Sequence, residues 1–322
     1  MSKLLRAAAV STMLGLVAAL SASAQTFTKP IRVIVPYPAG DLADTIGRLL
    51  TPKLKDALGQ PIVIENKPGA SGLLGLQTAL QGEPDNHTFV LGQMGAMAVA
   101  PNINKQPFDV RKEFVPVAMG YTNYMLLVTN PNVPAKNLAE LIAYGKANPG
   151  KLRLATNGEG GFPHLAMELL KQRTGIDFLH VPYKGSGQPV TDVIGGQADM
   201  TIAGFSTTYP HVQSGRLTAI AVTGKSRPAN APNVQTFNET VPGYEALGWF
   251  GFFAPKGTSQ AAIDAVNAAV NNALKSPDVH QKAATLGIDE SPGTPAQFGV
   301  TWNQDYDKWG KLIRDLKLDN TK

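Results

Sequence analysis

The chain has 322 residues, with 29 Lys and Arg against 24 Asp and Glu, and no cysteine. That length accommodates two domains of ordinary size, and the lack of cysteine excludes disulfides, Cys-type metal sites and a thiol nucleophile. The formal charge of +5 is mild, and no Lys/Arg block or basic–aromatic stripe accompanies it, which argues against a nucleic-acid partner.

The N-terminus reads as an export signal. Lys3 and Arg6 form a positive start, Ala7 to Leu20 is an apolar run, and Ala22-Ser23-Ala24 is a small-residue cleavage site before Gln25. The run of 14 residues is short for a membrane span, which needs about 20. Residues 1–24 are therefore expected to be removed, leaving a periplasmic, monomeric chain with a formal charge of +3 once Lys3 and Arg6 are gone. No cysteine follows the signal, which excludes a lipid anchor, and packing alone must stabilise the fold. High counts of Gly (32) and Pro (24) point to many tight βα turns.

Ile31–Val35 is β-branched and predicts a strand, followed by the Pro- and Gly-rich turn Pro36–Asp41. A helix is predicted over Leu42–Leu58, with Leu42, Ile46, Leu49, Leu50 and Leu54 on one face. Pro52 predicts a kink or break inside it, and Gly59 ends it. Strand Ile62–Glu65, turn Pro68–Gly72, a helix to about Gln81, strand Thr88–Gly92 and a short helix opened by Gln93-Met94-Gly95-Ala96 complete a βαβαβ rhythm. Strand-like Val115–Met119 and Tyr124–Thr129 follow with little helix between them. A second βα series then runs through strand Leu152–Ala155 and helix Pro163–Thr174, strand Asp177–Val181 and helix Pro189–Gly195, and strand Met200–Ala203 and helix Thr208–Ser214, to strand Leu217–Val222. Tyr244–Ala254 is extended and aromatic. Helices near Ser259–Lys275 and Thr294–Leu316 close the chain, the second with Trp302 and Trp309 on its core face.

A second series inserted into a first predicts two α/β domains joined by crossing strands near Tyr124–Thr129 and Trp249–Ala254. Domain 1 would comprise 25–125 and 250–322, and domain 2 would comprise 126–249. Ligands on open α/β sheets bind at the C-terminal strand ends, and two such edges facing each other form a cleft that a hinge can close. A strand that feeds a helix through a tight turn presents backbone N–H groups and the positive helix end to an anion. Candidate contacts on this logic are Tyr37 with Ala39 to Leu42 after the first strand, and Phe205 and Ser206 after Met200–Ala203.

Five ordered motifs carry a family resemblance: Pro36-Tyr37-Pro38-Ala39-Gly40 with Asp44, Glu65-Asn66-Lys67-Pro68-Gly69-Ala70, Tyr183-Lys184-Gly185, Gly195-Gly196-Gln197-Ala198-Asp199 and Trp249-Phe250-Gly251. Over nearly the whole mature chain this resembles the Bug proteins, periplasmic solute receptors of tripartite tricarboxylate transporters. The resemblance implies the type II periplasmic-binding-protein fold with Venus-flytrap closure and a small organic carboxylate, aromatic acid or amide as ligand. It also implies delivery to the membrane permease subunits, with no cofactor and no chemistry done on the ligand. Carried over motif by motif, it places ligand contacts on Tyr37, Ala39 and Gly40, then on Gln93, Gly95 and Ala96. In the second domain they fall on Asn157, Gly158, Gly161 and His164, with Lys184, Gly185 and Ser186 in the Tyr-Lys-Gly turn.

Asp41 departs from the pattern, where many relatives carry a second glycine. Beside a bound carboxylate its charge would cost about 4 kcal/mol at 4 Å in a surface-like medium. Two roles are open to it: it caps the helix, with Asp44 three residues on, or it reads an ammonium, hydroxyl or amide on the ligand. Tyr37 either stacks on the ligand or packs the turn between two prolines. His164 is either a ligand contact or a packing histidine. Lys184 is either a cleft cation or a solvated surface charge. Ser186 lacks a Gly-x-Ser-x-Gly elbow and an assignable acid, which favours a turn hydroxyl over a nucleophile. His87, His164, His180, His211 and His280 show no i,i+4 pair and no metal motif. Two rival functions are an exported α/β hydrolase or lyase acting on a carboxylated substrate, and a receptor that feeds a signalling partner.

Overall fold

The computed structural model describes residues 26–183 and 187–319; the proposed signal and the Lys184-Gly185-Ser186 turn lie outside them. The chain begins β1 (Ile31–Val35), α1 (Leu42–Leu58), β2 (Ile62–Asn66), α2 (Leu73–Ala79) and β3 (Thr88–Gln93). A π-helical turn, Gly95–Val99, runs into the single helical turn Ala100–Ile103. Then come β4 (Phe114–Asn123), β5 (Met125–Thr129), α3 (Leu138–Ala147), β6 (Arg153–Thr156), α4 (Phe162–Thr174) and β7 (Leu179–Pro182). The remainder is α5 (Gly187–Ile194), β8 (Met200–Gly204), α6 (Phe205–Gln213), β9 (Thr218–Val222), β10 (Gly248–Pro255), α7 (Gln260–Leu274), α8 (Pro277–Leu286), β11 (Ile288–Glu290) and α9 (Pro295–Asp315).

Among the described residues these strands form two mixed sheets, β11-β4-β10-β3-β1-β2 and β7-β6-β8-β5-β9. Each has a parallel part built by βα units and antiparallel strands contributed by the crossings. The result is the expected two-domain α/β architecture. The crossing is sharper than the sequence predicted. Met125–Thr129 and Gly248–Pro255 are full members of the two sheets, and Tyr124 alone separates β4 from β5. Gly248 pairs with Asn123, so the outgoing and returning chains lie side by side. A Cβ on Gly248 would fall 2.1 Å from Asn123 Oδ1, so only glycine fits while that amide keeps its place.

The core explains the remaining elements. Helix α1 continues through Pro52, so of the kink or break expected there the break does not occur. Pro52 and Arg48 are both exposed, so water can satisfy the carbonyl that the proline leaves unpaired. Helix α9 starts at a Thr294/Gln297 capping box and buries Phe298, Trp302 and Trp309. Trp302 Nε1 donates to Met97 O at 2.8 Å, while Trp309 meets Phe162 edge-on at 5.6 Å. One helix thus ties the turn after β3 in the first domain to the start of α4 in the second.

Candidate functional site

A cleft of about 590 Å³ opens between the two sheets. Its first wall comes from the C-terminal ends of β1 to β3: Tyr37, Ser71, and Gln93 to Gly95, continued by Val99, Ala100, Ile103 and Asn104. The second wall is the loop after β6, with Asn157 and Glu159 to Phe162. The floor is the crossing itself: Asn123, Gly248 and Trp249. Val99, Ala100, Ile103, Phe162 and Trp249 give the lining an apolar and aromatic part. The polar groups are mostly neutral donors and acceptors, and Glu159 is the charged side chain among the described lining residues. Ser71 holds φ at 55°, a left-handed conformation unusual for a residue with a side chain.

The loop after β1 is organised from within. Asp41 Oδ1 accepts the N–H of Ala43 at 2.9 Å, the N-cap role weighed above. Burial raises its carboxyl above the ordinary range, against the Ala43 bond, and the charge of Asp44 adds to the rise. Asp44 is buried and reaches back, its Oδ2 accepting the N–H of Gly40 at 2.9 Å. Arg48 Nε donates to the same oxygen at 3.0 Å, and Asn66 Nδ2 donates to Oδ1 at 3.0 Å and to Tyr37 O at 3.1 Å. Burial opposes ionisation of Asp44, but the bonds from Arg48, Gly40 and Asn66 outweigh it and hold the carboxyl below its usual range. Here the structure corrects the simplest reading of this loop. The Gly40 N–H expected to face a ligand is given to a carboxylate of the chain's own helix, and Asp44 shapes the loop instead of lining the cleft.

A second correction concerns Ala96. Its N–H donates to the Tyr37 hydroxyl, which also bonds to the Gln93 side chain; burial raises the phenol above its usual range against both bonds. Tyr37 therefore seals the start of the helical segment after β3 and presents itself, with Gln93 and Gly95, to the cleft. Ala39, Gly40, Asp41, Leu42 and Gly158 do not line the cleft themselves.

His164 is buried within α4, and its Nδ1 accepts the N–H of Gly160 at 3.0 Å. It packs behind the wall, so of its two open roles the structure gives it the packing one. Phe205 and Ser206 are displaced further. Strand β8 pairs with β5, placing Gly204 opposite Met125 beside the crossing. Phe205 packs edge-on against Tyr124 at 5.2 Å, and both candidates line a separate depression of about 220 Å³ against the end of α8. This strand order places them outside the lining of the cleft. Of the expected contacts, Tyr37, Gln93, Gly95, Asn157 and Gly161 come together in the cleft.

The residues missed by sequence reasoning have two origins. Ser71 and Glu159 lie in turns already recognised, and the strand-end rule pointed at them. Asn123 and Trp249 meet only through the long-range β4–β10 pairing, for which no local signal exists.

Two α/β domains around a cleft floored by their crossing strands define a solute-binding receptor of the periplasmic-binding-protein class. Residues 46–318 match the model of the tripartite tricarboxylate transporter family receptor, and the chain belongs to that family. It is 35% identical to protein BugT of Bordetella pertussis over 300 residues, covering 91% of each chain. Among solved structures, the R. palustris protein Rpa4515 with adipate has a TM-score of 0.74 at 28% identity, covering 89% of this chain and 97% of its own. MatC from Rhodopseudomonas palustris with bound malate has a TM-score of 0.71 at 29% identity, covering 89% and 99%. The family consists of binding receptors, so the protein is a receptor and not an enzyme.

Proposed function

We propose that the protein is a periplasmic receptor that captures a small organic carboxylate, or a related amide or aromatic acid, and delivers it to the permease of a tripartite transporter. The observation that carries this reading is the cleft. Its polar lining consists mainly of neutral hydrogen-bonding groups from Tyr37, Gln93, Asn123 and Asn157, interspersed with apolar surface from Ile103, Phe162 and Trp249. Neutral donors in a partly desolvated site bind a carboxylate through hydrogen bonds and bridging waters without a fixed ion pair. The adipate and malate bound by the two R. palustris relatives support a dicarboxylate of similar length. The domains on this reading are 25–125 with 250–322, and 126–249, and they close about the Asn123–Met125 and Gly248 crossing. The signal 1–24 and the monomeric state belong to the same proposal, as do the contacts from Lys184, Gly185 and Ser186.

A thermal-shift screen of malate, adipate, benzoate-type acids and their amides tests it. A true ligand at 100 times its dissociation constant stabilises by about 2.7 kcal/mol. No shift with any carboxylate or amide at millimolar concentration would overturn the reading. Small-angle scattering with a confirmed ligand should show a smaller radius of gyration; an unchanged radius removes the hinge from the mechanism.

A further inference from the structure

The cleft wall contributed by the second domain is held by a pair of histidines that do not line it. Gly160 N–H donates to His164 Nδ1 at 3.0 Å. The His164 ring stacks on His180, centroids 3.9 Å apart and planes 8° from parallel. His180 Nε2 lies 2.7 Å from Thr156 Oγ1, and that hydroxyl also contacts Gly158 O at 3.2 Å and the Gly158 N–H at 3.4 Å. The two rings thus reach both ends of the turn 158–160. Gly160 sits at φ 69°, and a Cβ there would fall 2.8 Å from Ile103 Cδ1, so the turn passes close to the opposite wall.

We propose that His164 is a positioning residue for the ligand site: its neutral ring, stacked on His180, holds the Gly160 amide and so sets the Asn157–Phe162 wall, and protonating it releases the wall and weakens capture. The proposal rests on the receptor reading of the cleft.

Proton accounting fixes the tautomer. An Nδ1 that accepts the Gly160 N–H carries no hydrogen, so the neutral ring has its proton on Nε2, 3.7 Å from Glu168 Oε1. A second proton goes to Nδ1. Two N–H donors then face each other at a hydrogen-bond distance and one must move, and the new charge lies flat against the His180 ring. The titratable groups around the pair, among the described residues, are His180 from β7, Glu168 from α4 itself and Glu159 from the turn. Lys171 and Asp177 act on Glu168. Burial, with His180 beside it, lowers the His164 imidazole to about 4. Burial also lowers His180, against the pull of Glu159. Both rings are therefore neutral at neutral pH, the state that the Gly160 bond requires.

The test uses His164→Asn, whose Oδ1 mimics the Nδ1 acceptor but does not titrate, and His164→Leu, which has no acceptor. Two readouts are taken: the Gly160 amide by ¹⁵N NMR and hydrogen exchange, and calorimetric binding of malate and adipate from pH 7.5 to 4. In wild type at pH 7 the Gly160 amide is protected, and acidification abolishes the protection. The Asn variant keeps protection at both ends, and the Leu variant loses it throughout. At pH 7 the Asn variant binds within about threefold of wild type and the Leu variant at least tenfold more weakly. The ratio of wild-type to Asn-variant affinity, in which protonation of the ligand cancels, falls as the pH drops below about 5. If the Leu variant does not fold, the Asn variant and the wild-type titration decide. An affinity ratio that stays flat with pH, or a Gly160 amide unprotected in wild type at pH 7, overturns the proposal. If neither malate nor adipate binds wild type, the receptor reading loses its ligand class, while the amide readout still decides the role of His164.

Discussion

The indole Nε1–H of Trp249, on the cleft floor, donates to Asp305 Oδ2 at 2.9 Å, and both residues are buried. The other oxygen of Asp305 takes Lys308 Nζ at 2.6 Å. Trp249 is further boxed by Phe298, edge-on at 5.2 Å. Helix α9 therefore holds the floor of the ligand site through a hydrogen bond between two buried side chains. Asp305→Ala should cost about 1–3 kcal/mol, the desolvation of an orphaned indole N–H, while Asp305→Asn, which keeps an acceptor, should cost less. Urea unfolding monitored by tryptophan fluorescence measures both, and an unchanged midpoint in the Ala variant would show that this bond adds nothing to stability.

Gly248 and Asn123 give a substitution with a different signature. The backbone of Gly248 needs no positive φ, so alanine is tolerated there in principle, but its Cβ displaces the Asn123 amide. Gly248→Ala should change stability by less than about 1 kcal/mol, because the obstacle is the movable end of a side chain. Affinity for the best carboxylate ligand should fall about tenfold through loss of one hydrogen-bonding group from the floor. Isothermal titration decides, with Asn123→Ala as a comparison. If Gly248→Ala binds as wild type while Asn123→Ala does not, the amide has been accommodated and the steric account fails.

Much of the fold was legible because it is written locally. The long α7 and α9 carry strong apolar periodicity and side-chain caps at Ser259 and Thr294, and both were placed within a residue or two of their observed ends. Helix α3 and helix α8 escaped notice: each has 10 residues and few buried positions, and their starts at Asn137 and Ser276 lie in polar stretches that read as loop. The site divides in the same way. Tyr37, Gln93 and Asn157 follow from the rule that ligands bind at strand ends. The inward turn of Asp44 toward Gly40 needs donors from Arg48 and Asn66 that no local pattern announces. Phe205 and Ser206 fall outside the lining of the cleft because the rule gives the sheet edge but not the strand order along it.

His164 also predicts a pH dependence of stability, apart from ligand binding. Its folded pKa of about 4 lies below the ordinary 6.5, so between those values the unfolded chain binds more protons. Stability must then rise with pH across that window, by at most about 1.4 kcal/mol per unit, and fall on acidification. Glu168 works the other way. Burial raises its carboxyl, so the folded state binds more protons above the unfolded carboxylate value, and stability declines as pH rises through that range. The difference between wild type and His164→Asn isolates the histidine. Denaturation midpoints at pH 7 and pH 5 should differ more in wild type than in the variant, and equal differences would refute the assignment.

The two acids at the start of α1 make the sharpest prediction, because burial raises one while hydrogen-bond partners lower the other. Asp41 is a cap whose carboxyl burial has raised. The folded state holds its proton more tightly, so its contribution to stability declines as pH rises from the unfolded value through the raised one. Asp44 is lowered by Arg48, Gly40 and Asn66 in spite of burial. Its contribution is fully present above the unfolded carboxylate value and is lost as pH falls through the lower folded one. Asp41→Gly should therefore cost only a few tenths of a kcal/mol at pH 7, since glycine is a tolerable cap, and should steepen the gain in stability on going from pH 4 to 6. Asp44→Asn removes the charge at the buried centre of a partly exposed network and should cost about 1–3 kcal/mol at pH 7, with a penalty that shrinks toward pH 3. Ligand affinity separates structure from recognition: a pure cap leaves it nearly unchanged in Asp41→Gly. A tenfold loss of affinity at an unchanged melting temperature would instead make Asp41 a reader of a polar group on the ligand, and the loop after β1 the place where this receptor sets its specificity.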